Sequence, residues 1–255
     1  MPIAQGLVQL TDDRNLPRTN FVWFEARVFD ASTLLGGIGS QQKLKSAMCK
    51  IGILLQFVQE ECTALASEWW GDEDKGQLFK EVQTGRLLKM LGRAHKYVAD
   101  TLKPEKMYQN VQDERITSLL CYENALENFN SAYNRGAKYL ASNIKQTEHH
   151  INDIKFEMGL VSIDQRVEDL RTKLDYLKST DGEIYLVRSC IVFLCDALML
   201  KDPPEYFETI KLYGEMFAVL ERDLGSEHLF VQEAKTRLLD LKREYREYLE
   251  KLKSS

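Results

Sequence analysis

Proline is scarce in this chain: its five residues stand at positions 2, 17, 104, 203 and 204. A proline inside a helix costs about 3 kcal/mol, through the missing N–H and a clash with the preceding turn. The long stretches on either side of Pro104 are therefore open to uninterrupted helix. Cys49, Cys62, Cys121, Cys190 and Cys195 are odd in number and show no CxxC spacing. That pattern argues against a disulfide framework and predicts reduced, buried thiols. No apolar run approaches the ~18–20 residues of a membrane-spanning helix, and those at Ile51–Leu55 and Ile191–Cys195 are short. Basic blocks are missing too. The net charge is −5 with a pI near 5.6, and lysine and arginine are interleaved with acids. Without a phosphate-neutralising surface, nucleic acid is not an expected partner. The first residues, MPIAQGLVQLTDDRNLPR, have neither the basic start nor the apolar centre of a secretory leader, so the expected location is the cytoplasm.

What the chain does have is helical periodicity. At 44% hydrophobic and 29% charged, its 255 residues suffice for one large helical domain or two small ones. NFVWFEARVFD, near the start, is dense in aromatic and β-branched residues and reads as extended or strand-like. Gly36, Gly37 and Gly39 then separate it from the body. Apolar residues at Leu44, Met48, Ile51, Leu55, Val58, Cys62 and Leu65 predict a first buried helix. Leu78, Val82, Leu87, Leu91, Ala94 and Val98 predict a second, weakened locally by Gly85 and Gly92 and ended by Pro104. A third is expected from Ile116 through Phe129 and Leu140 to Ile144. Leu160, Ile163, Val167, Leu170, Leu174 and Leu177 step by threes and fours, a coiled-coil-like seam. STDGE at 179–183 reads as a turn, and EIYLVRSCIVFLCDALML, apolar nearly all round, is expected to be buried among neighbours. Two helices complete the chain, one from the Pro203–Pro204 turn to Gly225, the other opened by Ser226 and Glu227. The expected fold is all-α: two packed antiparallel helical bundles, 41–150 and 151–255, preceded by an extended N-terminal arm, 1–40.

Residues able to do chemistry are present but not in constellations. LLGGIGSQQK offers glycines without the spacing of a phosphate-cradling loop. His149 and His150 are adjacent, so on a helix they point about 100° apart and do not readily share an ion. His95 and His228 are isolated in polar helical surroundings, where solvated or capping roles are expected. Cys190 and Cys195 lie in VRSCIVFLCD, which has the composition of a core and not of an electropositive thiolate site. Paired acids such as Glu60 with Glu61, and Asp72 with Asp74, read as solvated surface. Trp69 and Trp70 are expected to cover a core, the alternative being a recognition surface. No catalytic residue, metal site or cofactor is expected, and the chain reads as a non-enzymatic interaction module.

Two segments carry a resemblance. YFETIKLYGEMFAVLERDL, with Tyr206, Ile210 and Tyr213 in a Y-x-x-A-x-x-x-Y-like spacing, is similar to the second helix of the microtubule-interacting and trafficking (MIT) family. VQEAKTRLLDLKREYREYLEKL, with Arg237, Leu241, Tyr245 and Leu249, is similar to its third. DALMLKDPP replaces that family's short polar connection, and Ile210 stands where alanine is commoner. LLCYENALENFNSAYNRGAKYL is a weaker echo, so the pair resembles the tandem MIT region at the C-terminus of autophagy-initiating serine/threonine kinases; no kinase motif is present. The resemblance implies antiparallel three-helix bundles and recognition of short helical or extended segments of a flexible protein partner, in autophagy initiation or membrane trafficking. The expected groove lies between the last two helices, at Tyr213, Phe217, Leu220, Ala234, Arg237, Leu238 and Leu241. Two alternatives stand beside it. RDLGSEHLFVQEAKTRL also resembles a tetratricopeptide inter-repeat region, although no period of ~34 residues is visible. The seam from Leu160 to Leu177 is the alternative basis for a homodimerising coiled-coil subunit.

Overall fold

The computed structural model describes residues 21–36, 41–61, 72–101, 104–179 and 184–254. Among these, every long element is helical: α1 (Phe21–Gly36), α2 (Gln41–Glu60), α3 (Glu73–Thr101), α4 (Pro104–Asn134), α5 (Ala141–Glu157), α6 (Ile163–Ser179), α7 (Ile184–Met199), α8 (Tyr206–Leu224) and α9 (Leu229–Ser254). A single 3-10 turn, Lys138–Leu140, leads into α5. Trp69, Trp70, Cys62 and the turn at 180–183 lie outside the described residues. The chain divides after Met158 into two compact units, so α5 runs on through the break expected at 150. α5 stops where Met158 N–H bonds Ile154 O at 2.9 Å and Gly159 turns left-handed at φ +72°, a helix stop that glycine adopts without Cβ strain.

In the first unit the described start is not an extended arm. Phe21–Gly36 is helical, and its Phe24, Val28 and Ala31 pack with Ile51, Leu54, Phe57 and Val58 of α2 and Leu87 of α3. The spacing 24, 28, 31 is helical; aromatic and β-branched density, a weak and context-dependent strand signal, obscured it. Inside this unit Lys50 of α2 also pairs with the buried Asp30 of α1.

α3 and α4 form a long hairpin, and the two glycines expected to weaken α3 are where it is closest. A Cβ on Gly85 would sit 2.6 Å from Phe129, and one on Gly92 3.0 Å from Tyr122. Seven residues separate each pair member from the next along its own helix, so the rings seat on the backbone of α3 two turns apart. Ser118 Oγ donates to Gly92 O at 2.7 Å beside the second contact. α4 ends earlier than its periodicity implies, because Gly136 at φ +109° breaks the run and Ala137 N–H returns to Ala132 O at 3.0 Å.

The second unit has one core, supplied by all four of its helices. Val167, Leu170 and Leu174 of α6 meet Cys190, Ile191, Leu194 and Leu198 of α7, joined by Tyr213, Met216 and Leu220 of α8 and by Val231, Ala234 and Leu241 of α9. The coiled-coil-like seam is thus occupied within its own unit; only Leu160, ahead of α6, is left exposed. Ion pairs tie alternate helices: Arg171 of α6 bonds both oxygens of Glu208 on α8 at 2.9 and 2.7 Å, and Arg188 of α7 bonds Glu233 of α9 at 2.7 Å. At the far end of the last hairpin Tyr206 stacks against Tyr245 and Tyr248. Gly225, at φ +82°, ends α8 as expected. α9 begins at Leu229, just after the expected opening at Ser226 and Glu227, and His228 Nδ1 accepts the Phe230 N–H there at 3.2 Å.

Candidate functional site

α8 and α9 bring the seven residues of the expected groove onto two packed helices, but mostly on their inner faces. Tyr213, Leu220, Ala234 and Leu241 are buried in the core, and Phe217 and Leu238 are partly buried against it. Arg237 is likewise partly exposed. Its Nη1 donates to Glu244 Oε1 at 2.8 Å, and its charge opposes the upward push that burial gives the Asp196 carboxyl on α7. Side chains that fill the space between two helices close it to a partner.

Among the exposed apolar positions of the described residues is a patch on α7. Leu186 and Phe193 are 52% and 54% exposed, and Leu200, 67% exposed, stands in the turn just after the helix ends; seven-residue spacing aligns Leu186 with Phe193 along one helix face. Tyr185 extends the patch towards α9, where its ring meets Phe230 edge-on at 5.7 Å and the Arg188 guanidinium lies over Phe230 at 4.2 Å. Asp196, exposed on the same face of α7, puts a carboxylate within the patch. The opposite face of α7, Cys190, Ile191, Leu194 and Leu198, is core. All-round apolarity was expected to mean burial on every side; one face instead reaches solvent. The signal available in the sequence was the repeat Leu186, Phe193, Leu200, which a buried helix in this small unit has no need of.

No reactive constellation forms among the described residues. Burial pushes the Cys195 thiol up to about 12, and its Sγ lies 3.9 Å from Thr209 O, so at neutral pH it is a protonated core thiol and not a nucleophile. Cys121 and Cys190 are also buried, whereas Cys49 is exposed, contrary to the expectation of uniformly buried thiols. Cys49 lies one residue beyond Met48, on the outer face of α2. His95 Nδ1 lies 2.6 Å from Glu114 Oε2, an α3–α4 pair. No three His, Cys, Asp or Glu side chains among the described residues converge where a metal ion would sit. No described helix is long and apolar enough to cross a membrane. Comparison with known protein families, curated proteins and solved structures gives no match for this chain.

Proposed function

We propose that this chain is a protein-interaction scaffold that docks a short helical or extended segment of a flexible partner. The observation that carries the reading is the α7 patch: Leu186 and Phe193, exposed and in line on a helix whose other face is fixed in the core, continued by the exposed Leu200 in the turn that follows. Apolar side chains grouped on one face and rimmed by charge mark interaction surfaces in proteins that are otherwise well packed. An amphipathic helix with anchors at i, i+3 or i+4 and i+7 matches the spacing, and a basic residue on it would meet Asp196. The resemblance of 185–252 to the MIT family points the same way, towards trafficking or autophagy initiation in the cytoplasm. In this reading Arg237 borders the docking surface from α9, and the other six residues of the expected groove hold α7 in place from behind.

A second reading, a tetratricopeptide-like adaptor, is favoured by one observation: alternate helices are tied by Arg171–Glu208 and Arg188–Glu233, the neighbour pattern of a stacked helical repeat. Helix starts at 163 and 206, then at 184 and 229, do not follow a ~34-residue step. The two readings put the partner on different helices. Pull-downs with Leu186→Asp, Phe193→Asp and Phe207→Asp variants, each checked for native helicity, separate them. Loss with the first two alone supports docking on α7. Loss only with Phe207→Asp, an exposed position on α8, supports the adaptor reading. Undiminished recovery with all three overturns both.

A further inference from the structure

The first unit contains a cleft that the interaction reading does not use. It runs along α3, with α5 as one wall and the ends of α1 and α2, through Leu35 and Leu44, as the other, and encloses about 560 Å³. That is within the ~300–1,000 Å³ range of small-molecule sites.

The charges lining it are unevenly satisfied. Lys96 is neutralised by Asp100 at 3.2 Å and Glu157 at 2.6 Å. One helical turn and two turns earlier, Arg93 and Lys89 are not. The Lys89 ammonium is held by neutral amides, Gln146 Oε1 at 2.9 Å and Asn143 Oδ1 at 3.4 Å. Burial and the neighbouring Arg93 both push its pKa down. Arg93, exposed and lining the same cleft, makes no hydrogen bond or ion pair with a described residue, and a guanidinium carries five donors. Like charges one turn apart on a helix repel, and an anion between them removes that repulsion while accepting from both. Asp100, paired with Lys96, makes its end of the cleft acidic, while Asp153 lines it from α5, so an anionic group is directed to Lys89 and Arg93. Leu35, Leu44 and Met90 supply apolar wall alongside.

We propose that this cleft is a binding site for a small organic anion, with a carboxylate or phosphate head on Lys89 and Arg93 and an apolar body against Leu35, Leu44 and Met90. The site is independent of the α7 patch. The test is an NMR titration of the full chain with four probes: octanoate, phenyl phosphate, inorganic phosphate and octanol. Saturable binding of octanoate or phenyl phosphate is expected, with shifts centred on Lys89, Arg93 and Tyr97; whichever of the two is tighter identifies the head. Inorganic phosphate and octanol, each lacking half of the recognised chemistry, are expected to bind at least about tenfold more weakly, a factor worth roughly 1.4 kcal/mol. Arg93→Gln, which breaks no hydrogen bond or ion pair among the described residues, is expected to weaken the better probe about tenfold, as loss of a charge-assisted bond does. Octanol binding as well as octanoate, inorganic phosphate binding as well as phenyl phosphate, affinity unchanged in Arg93→Gln, or no saturable binding of either anion would each overturn the proposal.

Discussion

Gly85 and Gly92 show how the meaning of one residue type turns on its neighbours. As letters in a helix they are defects, about 1 kcal/mol each relative to alanine. In the fold they are the points where Phe129 and Tyr122 reach the backbone of α3. Gly85→Ala is therefore expected to destabilise: overpacking costs about 1–3 kcal/mol, and the gain in helix propensity recovers at most about 1. Gly214, inside α8, has open space where its Cβ would stand, so Gly214→Ala is expected to stabilise by about 0.4–1 kcal/mol. Urea denaturation of the two variants should move in opposite directions; a stabilised Gly85→Ala would mean the ring contact is absent. The sequence could not distinguish these glycines, because which ring lies opposite is a property of the α3–α4 register. Cys49 teaches the same lesson in reverse, a residue of a usually buried type that falls on the outside of its helix.

At the scale of elements, periodicity was a good guide to where helices run and a poorer guide to which faces are covered. The α6 stripe, α8 with its glycine stop and the long α9 were all legible, since apolar spacing of three and four residues is itself the cause of the packing. α1 was misread, because bulky residues raised strand preference locally while its burial pattern was set by contacts with α2 and α3. α7 was read correctly as a helix, but its open face depends on how many neighbours it has, which no single segment encodes. The α7–α8 junction also makes a prediction about pH. Burial pushes Cys195 and Tyr213 each up to about 12, from ordinary values of 9.0 and 10.0. For an acid whose folded pKa is raised, the unfolded chain loses the proton first. The associated stability is thus complete below about pH 9 and falls as pH rises towards 12. Chemical denaturation of the full chain should show this alkaline decline, and in Cys195→Ala the loss of stability between about pH 9 and 12 should be smaller, the remainder coming from Tyr213 and from the Cys121 thiol, which burial also raises. A decline of undiminished size without Cys195 would assign the effect elsewhere.

At the scale of the molecule, the chain divides into two helical units, one of the two outcomes, a single large helical domain or two small ones, that length and composition left open. The candidate site was only partly legible. The expectation placed it on α8 and α9, where the strongest apolar stripes lie, but strong stripes are what a core consumes. The proposed surface is the weaker repeat on α7, which holds its place because the stripes behind it are satisfied. Chemistry was absent as a constellation in the sequence, and the cysteines and histidines among the described residues take up packing, pairing and capping roles. The pair Lys89 and Arg93 was hidden for a different reason: that neither meets an acidic partner among the described residues depends on which faces of α3 and α5 meet. Replacing Phe193 with a photoreactive phenylalanine analogue in cells addresses the central claim most directly. The account predicts a dominant covalent adduct with one other protein, lost when Leu186→Asp is introduced into the same folded chain. Adducts that persist undiminished in that double variant, or adducts only with a second copy of this chain, would contradict it.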